Sequence, residues 1–104
     1  MGKKVNEWHK ARNILGKAYA DVGIEYCELN IEGEHNGLWV AFAHGRKRRH
    51  LVGNELYTFV ARACQGCHDF IEYKVGKEKM AQIIQEAIDR REIQPVIVVG
   101  GVKL

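Results

Sequence analysis

Cys64 and Cys67 form a C-x-x-C pair, and Cys27 is a third thiol earlier in the chain. Thiolates are soft, charged ligands, and a closed structural zinc site takes four protein donors, commonly sulfurs with or without an imidazole. Cys27, Cys64 and Cys67 would supply three of them. His35, in the polar turn that follows Cys27, is the best placed fourth. An odd number of cysteines does not suit a disulfide framework, and in a reducing compartment this spacing reads as metal binding or redox chemistry before it reads as a bridge. The plain alternative is three buried cysteines with no ligand. Cys64-Gln65-Gly66-Cys67-His68 also spells the attachment motif of a c-type haem, with Met80 or another histidine as a distal ligand, so a c-type haem protein is a rival from another class.

Two further constellations could do chemistry. His44 ends an apolar run and is followed by Gly45 and the four cations Arg46, Lys47, Arg48 and Arg49. A histidine near its ordinary pKa of about 6.5 is mostly neutral at cellular pH and can take a proton from water attacking a phosphodiester. The neighbouring cations would hold phosphates. The alternatives are a satisfied strand-end histidine and a solvated basic loop. Downstream, His68 and Glu72 fall on one face if a helix starts at the C-x-x-C, and that pair would suit a divalent ion. An ordinary pair on a helix surface is the alternative there.

The elements that must position these groups follow from periodicity. Val5, Trp8, Leu15, Ala18, Tyr19 and Val22 predict a helix over 5–22, with Gly23 ending it. Residues 24–30 alternate loosely and predict a short strand carrying Cys27, and 38–43 predict a strand buried on both faces. Residues 54–62 fit strand or helix. A tight turn is expected at 64–67, and a short helix over 68–73. Met80, Ile83, Ile84, Ala87 and Ile88 predict a helix over 77–91, which Pro95 closes. The apolar 96–99 segment predicts a last strand within 95–104, one that completes this chain's own sheet or pairs with a second copy in a homodimer.

At 104 residues, 46% hydrophobic and without low-complexity tracts, the chain reads as one α+β domain. Its apolar runs are too short for a membrane span, and no apolar stretch follows the basic N-terminus, so export is not expected and the cytoplasm is the expected place. A net charge of +3 leans modestly toward polyanions.

The order strand, histidine, basic connector, C-x-x-C-His, helix resembles the HNH endonuclease family. Residues 38–49 and 63–72 carry the likeness, which is to small phage and bacterial members with Ala-His before a basic run. It extends over roughly 27–73. It implies a ββα-metal (His-Me finger) core over about 24–75, a structural zinc site and flanking helices. It further implies hydrolysis of DNA with one Mg²⁺ or Mn²⁺, His44 as general base and His68 as metal ligand. A non-catalytic, zinc-braced DNA-binding module on the same scaffold is the alternative, and a phage-encoded member would act in the host cytoplasm. Three positions depart from the family pattern. Ala43 stands where a second metal ligand often precedes the base. Phe59 stands where the motif's asparagine usually lies, with Asn54 out of register. Asn30 stands where a second C-x-x-C would close on Cys27. Glu72 or Asp69 could fill the missing ligand's place.

Overall fold

The computed structural model describes residues 3–104, with side chains from Glu7 onward, and forms a small α+β unit. The first helix, α1 (Lys3–Asp21), buries Ala11, Leu15, Ala18 and Tyr19, the spacing of one helical face. Val5, expected on that stripe, lies outside the residues whose side chains are described. Gly23, at φ 81°, ends the helix: its N–H donates to Ala20 O while the Ile24 N–H reaches back to Tyr19 O. That is the bond pattern of a Schellman cap, and glycine is favoured there because the left-handed backbone penalises a Cβ.

Two short strands form the centre. β1 (Ala41–His44) and β2 (Val60–Ala63) pair antiparallel, with Ala41 opposite Ala63 and His44 opposite Val60. Alternation divides the hairpin into two faces. Ala43, Ala61 and Ala63 belong to one core cluster with Cys64, Cys67, Ile71, Ile84 and Ala87, where small side chains let two helices approach. Phe42 and Val60 belong to the other, with Leu15, Tyr19 and Ile24. The helices on the alanine face are α3 (Gln65–Tyr73) and α4 (Lys77–Asp89). Between the strands lie a 3-10 turn (Arg48–His50) and a one-turn helix, α2 (Glu55–Thr58). The ambiguous 54–62 segment therefore contains both helix and strand.

Three sequence expectations change. Residues 24–30 form an extended connector, not a strand. The Glu28 N–H does donate to Arg62 O, but the Arg62 N–H is taken by the Glu28 carboxylate at 2.9 Å, so no backbone ladder propagates. Asn30, at φ 45°, turns the chain away. The 38–43 strand begins only at Ala41, and Leu38 and Trp39 are 51% and 73% exposed. Leu38 uses its N–H on the Asn36 side chain and its carbonyl on the Gln65 N–H, which ties it to the start of α3. The 64–67 turn is the opening turn of α3, with Cys64 as the N-cap residue and Cys67 already helical. Helical i, i+3 geometry brings the two sulfurs together without a separate loop.

After α4, which ends two residues short of the expected 91, the chain closes with β3 (Val98–Val99) and β4 (Val102–Lys103). Gly100 and Gly101 both have positive φ, 58° and 82°, as a two-residue type I′ turn requires. The C-terminal strand thus pairs with its own neighbour, and Ile97 anchors the hairpin in the core.

A buried ion pair binds the layers. Arg91 and Glu28 meet at 2.7 Å with both side chains 6% exposed, and Arg91 also donates to Tyr19 Oη and Val60 O. Removing one partner of such a pair leaves a buried charge unmatched, at about 3–5 kcal/mol. Urea denaturation of Glu28→Ala at neutral pH should show a loss of that size. A loss below 1 kcal/mol would mean that the network is not a tie between α1, β2 and the end of α4.

Candidate metal centre and basic cleft

Cys27, His35, Cys64 and Cys67 converge, their donor atoms all lying within 4.8 Å of one another. They arrive from three pieces of local structure. Cys64 and Cys67 come from the first turn of α3, Cys27 from the connector beside β2, and His35 from just past the turn at 32–34. His35 Nδ1 lies 3.5 Å from Cys64 Sγ and 3.8 Å from Cys67 Sγ. In a tetrahedron with metal–sulfur bonds of about 2.3 Å, neighbouring ligand atoms stand roughly 3.8 Å apart, so the donors already sit near coordination spacing. All three thiols are free and buried. The cluster is a Cys₃His donor set that could hold a metal ion such as zinc.

Backbone amides are turned toward the sulfurs. The Ile31 N–H donates to Cys67 Sγ at 3.4 Å. Burial pushes the Cys64 thiol up, but the N–H groups of Cys67, Asn36 and Gly37, with the Cys67 thiol, outweigh it and bring the group down to about 6. Burial and the neighbouring Cys64 and Cys27 sulfurs drive Cys67 the other way, to about 12, against the Ile31 N–H. Several thiols around one point resist shared negative charge, which a bound cation would relieve. Gly66 is required between the cysteines. A Cβ there would come within 2.0 Å of Glu34 O, and the Gly66 N–H donates to Asn36 Oδ1.

Three residues of α3, His68, Glu72 and Tyr73, join Trp8, Phe42, His44, Lys47, Arg48 and Arg49 in lining an open cleft of about 360 Å³. It brings together residues that the sequence marks 24 positions apart: His44 from the end of β1 and His68 from α3. His44 is 7% exposed. Its Nε2 lies 3.0 Å from Leu56 O and its ring meets the Trp8 indole edge-on at 5.1 Å. With Nε2 donating to the carbonyl, Nδ1 is the unprotonated nitrogen of the neutral ring. Burial pulls the His44 pKa down to about 4. The Leu56 carbonyl and Glu72 work against that shift, and Arg48 and His68 add to it.

The unfolded chain would protonate this imidazole near 6.5 and the folded one near 4, so between those values the unfolded state binds the extra proton. Stability is therefore expected to fall as pH drops from about 6.5 to about 4, by about 3 kcal/mol in total, and this contribution is flat below that window. Chemical denaturation across pH should show the slope in the parent protein and lose it in His44→Gln. An equal slope in both would assign the acid sensitivity to other groups.

The basic run divides. Arg46 pairs with Glu55 at 3.3 Å and lies over the Phe59 ring, while Lys47 meets Glu72 Oε2 at 2.7 Å. Among the described residues, Arg48 and Arg49 make no ion pair, and Arg48 stacks over Trp8 at 5.3 Å. Two of the four expected phosphate contacts are thus engaged inside the protein. Glu72, expected to be a metal ligand, carries an internal lysine, and Asp69 lies 3.7 Å from His68 Nδ1. Phe59 packs where a Cβ on Gly45 would clash at 2.3 Å, closing the space under the loop after β1. Periodicity and motif spacing do not single out Tyr73, the Leu56 carbonyl or Asn36, and they mark Trp8 only as a core helix position.

No helix is long and apolar enough to cross a membrane among the described residues. No family model matches this chain, and no solved structure does. Among curated proteins it is similar to the oxidoreductase-like protein SRL4 of Saccharomyces cerevisiae, at 27% identity over 107 aligned positions and 99% of this chain. The chain spans about a third (34%) of that protein's length.

Proposed function

We propose that this chain is a metal-dependent endonuclease of the HNH type, hydrolysing phosphodiester bonds in DNA. One observation carries the reading: His44 and His68 line a single cleft together with Arg48 and Arg49, which make no ion pair among the described residues. The hairpin-then-helix order with C-x-x-C at the helix start supports the ββα-metal fold, and the Cys₃His cluster supports a structural zinc ion bracing it.

The proposed chemistry follows from the side chains. Leu56 O holds His44 by Nε2, leaving Nδ1 to take a proton from the attacking water. Burial keeps the ring neutral at neutral pH, so the Nδ1 lone pair is free for that proton. Arg48 and Arg49 hold the phosphates flanking the scissile bond. His68 lines the cleft and would give a Mg²⁺ or Mn²⁺ ion one imidazole ligand, with water and phosphate oxygens filling the remaining positions. Glu72 is the weaker candidate ligand, since Lys47 holds it. Such an ion would stabilise negative charge on the phosphate and the leaving oxygen.

A second reading comes from the curated relative, whose name points to oxidoreductase chemistry. The Cys64–Cys67 pair is where thiol redox chemistry would lie. Both sulfurs are fully buried and packed with Cys27 and His35, which favours a ligand set over an exchanging dithiol. The same burial disfavours thioether bonds to a haem. Conversion of supercoiled plasmid to nicked or linear DNA with Mn²⁺ present, weakening steeply with salt, is the result expected of the nuclease. Intact plasmid after incubation with metal-loaded protein would remove this reading in favour of the DNA-binding module or the redox alternative.

A further inference from the structure

A second hollow, about 240 Å³, adjoins the His44 cleft at the Trp8–Arg48 stack. Glu7, Trp8, Arg48, Arg49, Leu51, Gly53 and Leu56 line it, so the two hollows share Trp8, Arg48 and Arg49. Its volume is below the ~300 Å³ at which small-molecule pockets begin, and suits one flat ring system better than a whole ligand. An indole and two leucines give it apolar lining, the two arginines give it positive charge, and Glu7 is the acidic residue of that lining, which disfavours phosphate beside it.

We infer that this hollow receives an unstacked nucleobase next to the scissile phosphate, making single-stranded or locally unpaired nucleic acid the preferred substrate. The inference rests on the nuclease reading for its orientation. A base stacked against Trp8 and the leucines would place its phosphate on Arg48 and Arg49, and the next phosphate in the cleft of His44 and His68. Such stacking is tolerant of sequence and demands an exposed π-face, which a base inside a duplex does not offer. The same base would touch the two groups that hold His44. Trp8 packs on its ring, and Leu56, whose carbonyl bonds Nε2, lines the hollow. Occupancy of the hollow would thereby help to order the general base.

The test is equilibrium binding of a labelled oligonucleotide and of the same sequence as a duplex, without added Mg²⁺ or Mn²⁺, so that cleavage does not enter. The single strand is expected to bind at least several-fold more tightly than the duplex. Trp8→Ala should lose that binding by roughly 10-fold or more, and Trp8→Phe should keep most of it. Leu51 belongs to neither core cluster, so Leu51→Asn tests the wall without risk to the fold and should weaken the single strand selectively. In a Trp39→Phe background, where Trp8 is the sole tryptophan, the single strand should quench its emission. Duplex binding as tight as single-strand binding, or Trp8 emission unmoved at saturation, would overturn the proposal. A preference for single strands, with that same strand left uncut once Mn²⁺ is added, would leave this site standing and remove the nuclease reading.

Discussion

Replacing Cys67 by serine is expected to abolish the cooperative unfolding transition of the metal-loaded protein. Cys67 is fully buried, accepts the Ile31 N–H, and sits beside Cys64, His35 and Cys27 at the root of α3. Structural zinc sites contribute an apparent ~10–16 kcal/mol to folding in small domains, as large as the whole stability of a typical domain, ~5–15 kcal/mol. The β1–β2 hairpin has four residues per strand and could not hold α3 and α4 in place by its own ladder. Removing the ion with a chelator should produce the same loss in the parent protein. Circular dichroism during urea titration reads both. A Cys67→Ser protein that unfolds with the parent midpoint would show that the four donors are ordinary core residues.

The second large effect concerns His44. His44→Gln should lower plasmid cleavage by roughly 10²–10⁴-fold, the range a positioned general base contributes, while leaving zinc content and the native fold in place. Glutamine can still donate to Leu56 O, so the loop bearing Arg46 should keep its position. The effect should lie in the rate at saturating DNA, since Arg48 and Arg49 remain to hold the backbone. Cleavage within a few-fold of the parent would take the proton-transfer role away from His44.

What could be read in the sequence was whatever depends on local spacing. The α1 and α4 stripes show themselves because Leu15, Tyr19, Met80 and Ile84 recur at the helical period. The Cys₃His set is legible because C-x-x-C is a short-range pattern and His35 is the one imidazole in the turn after Cys27. What depends on packing between distant elements was not legible. Lys47 and Glu72 read as a phosphate contact and a metal ligand until α3 folds against the loop after β1 and pairs them. Trp8 reads as a core position on α1, but its indole lines both hollows. Leu38 and Trp39 read as buried because they are apolar. They are exposed, and Leu38 O is spent on the Gln65 N–H instead of a strand partner. The Arg91–Glu28 tie spans 63 positions, and no local pattern announces it.

The metal content of the protein purified without chelator bears on all of this most directly, because the position of His68 relative to His44 depends on an α3 anchored at its first turn. About one zinc per chain is expected, with the three thiols unreactive in the folded protein and reactive once the ion is withdrawn. A metal-free protein that is fully folded, with its thiols titrating freely in the presence of zinc, would contradict the account.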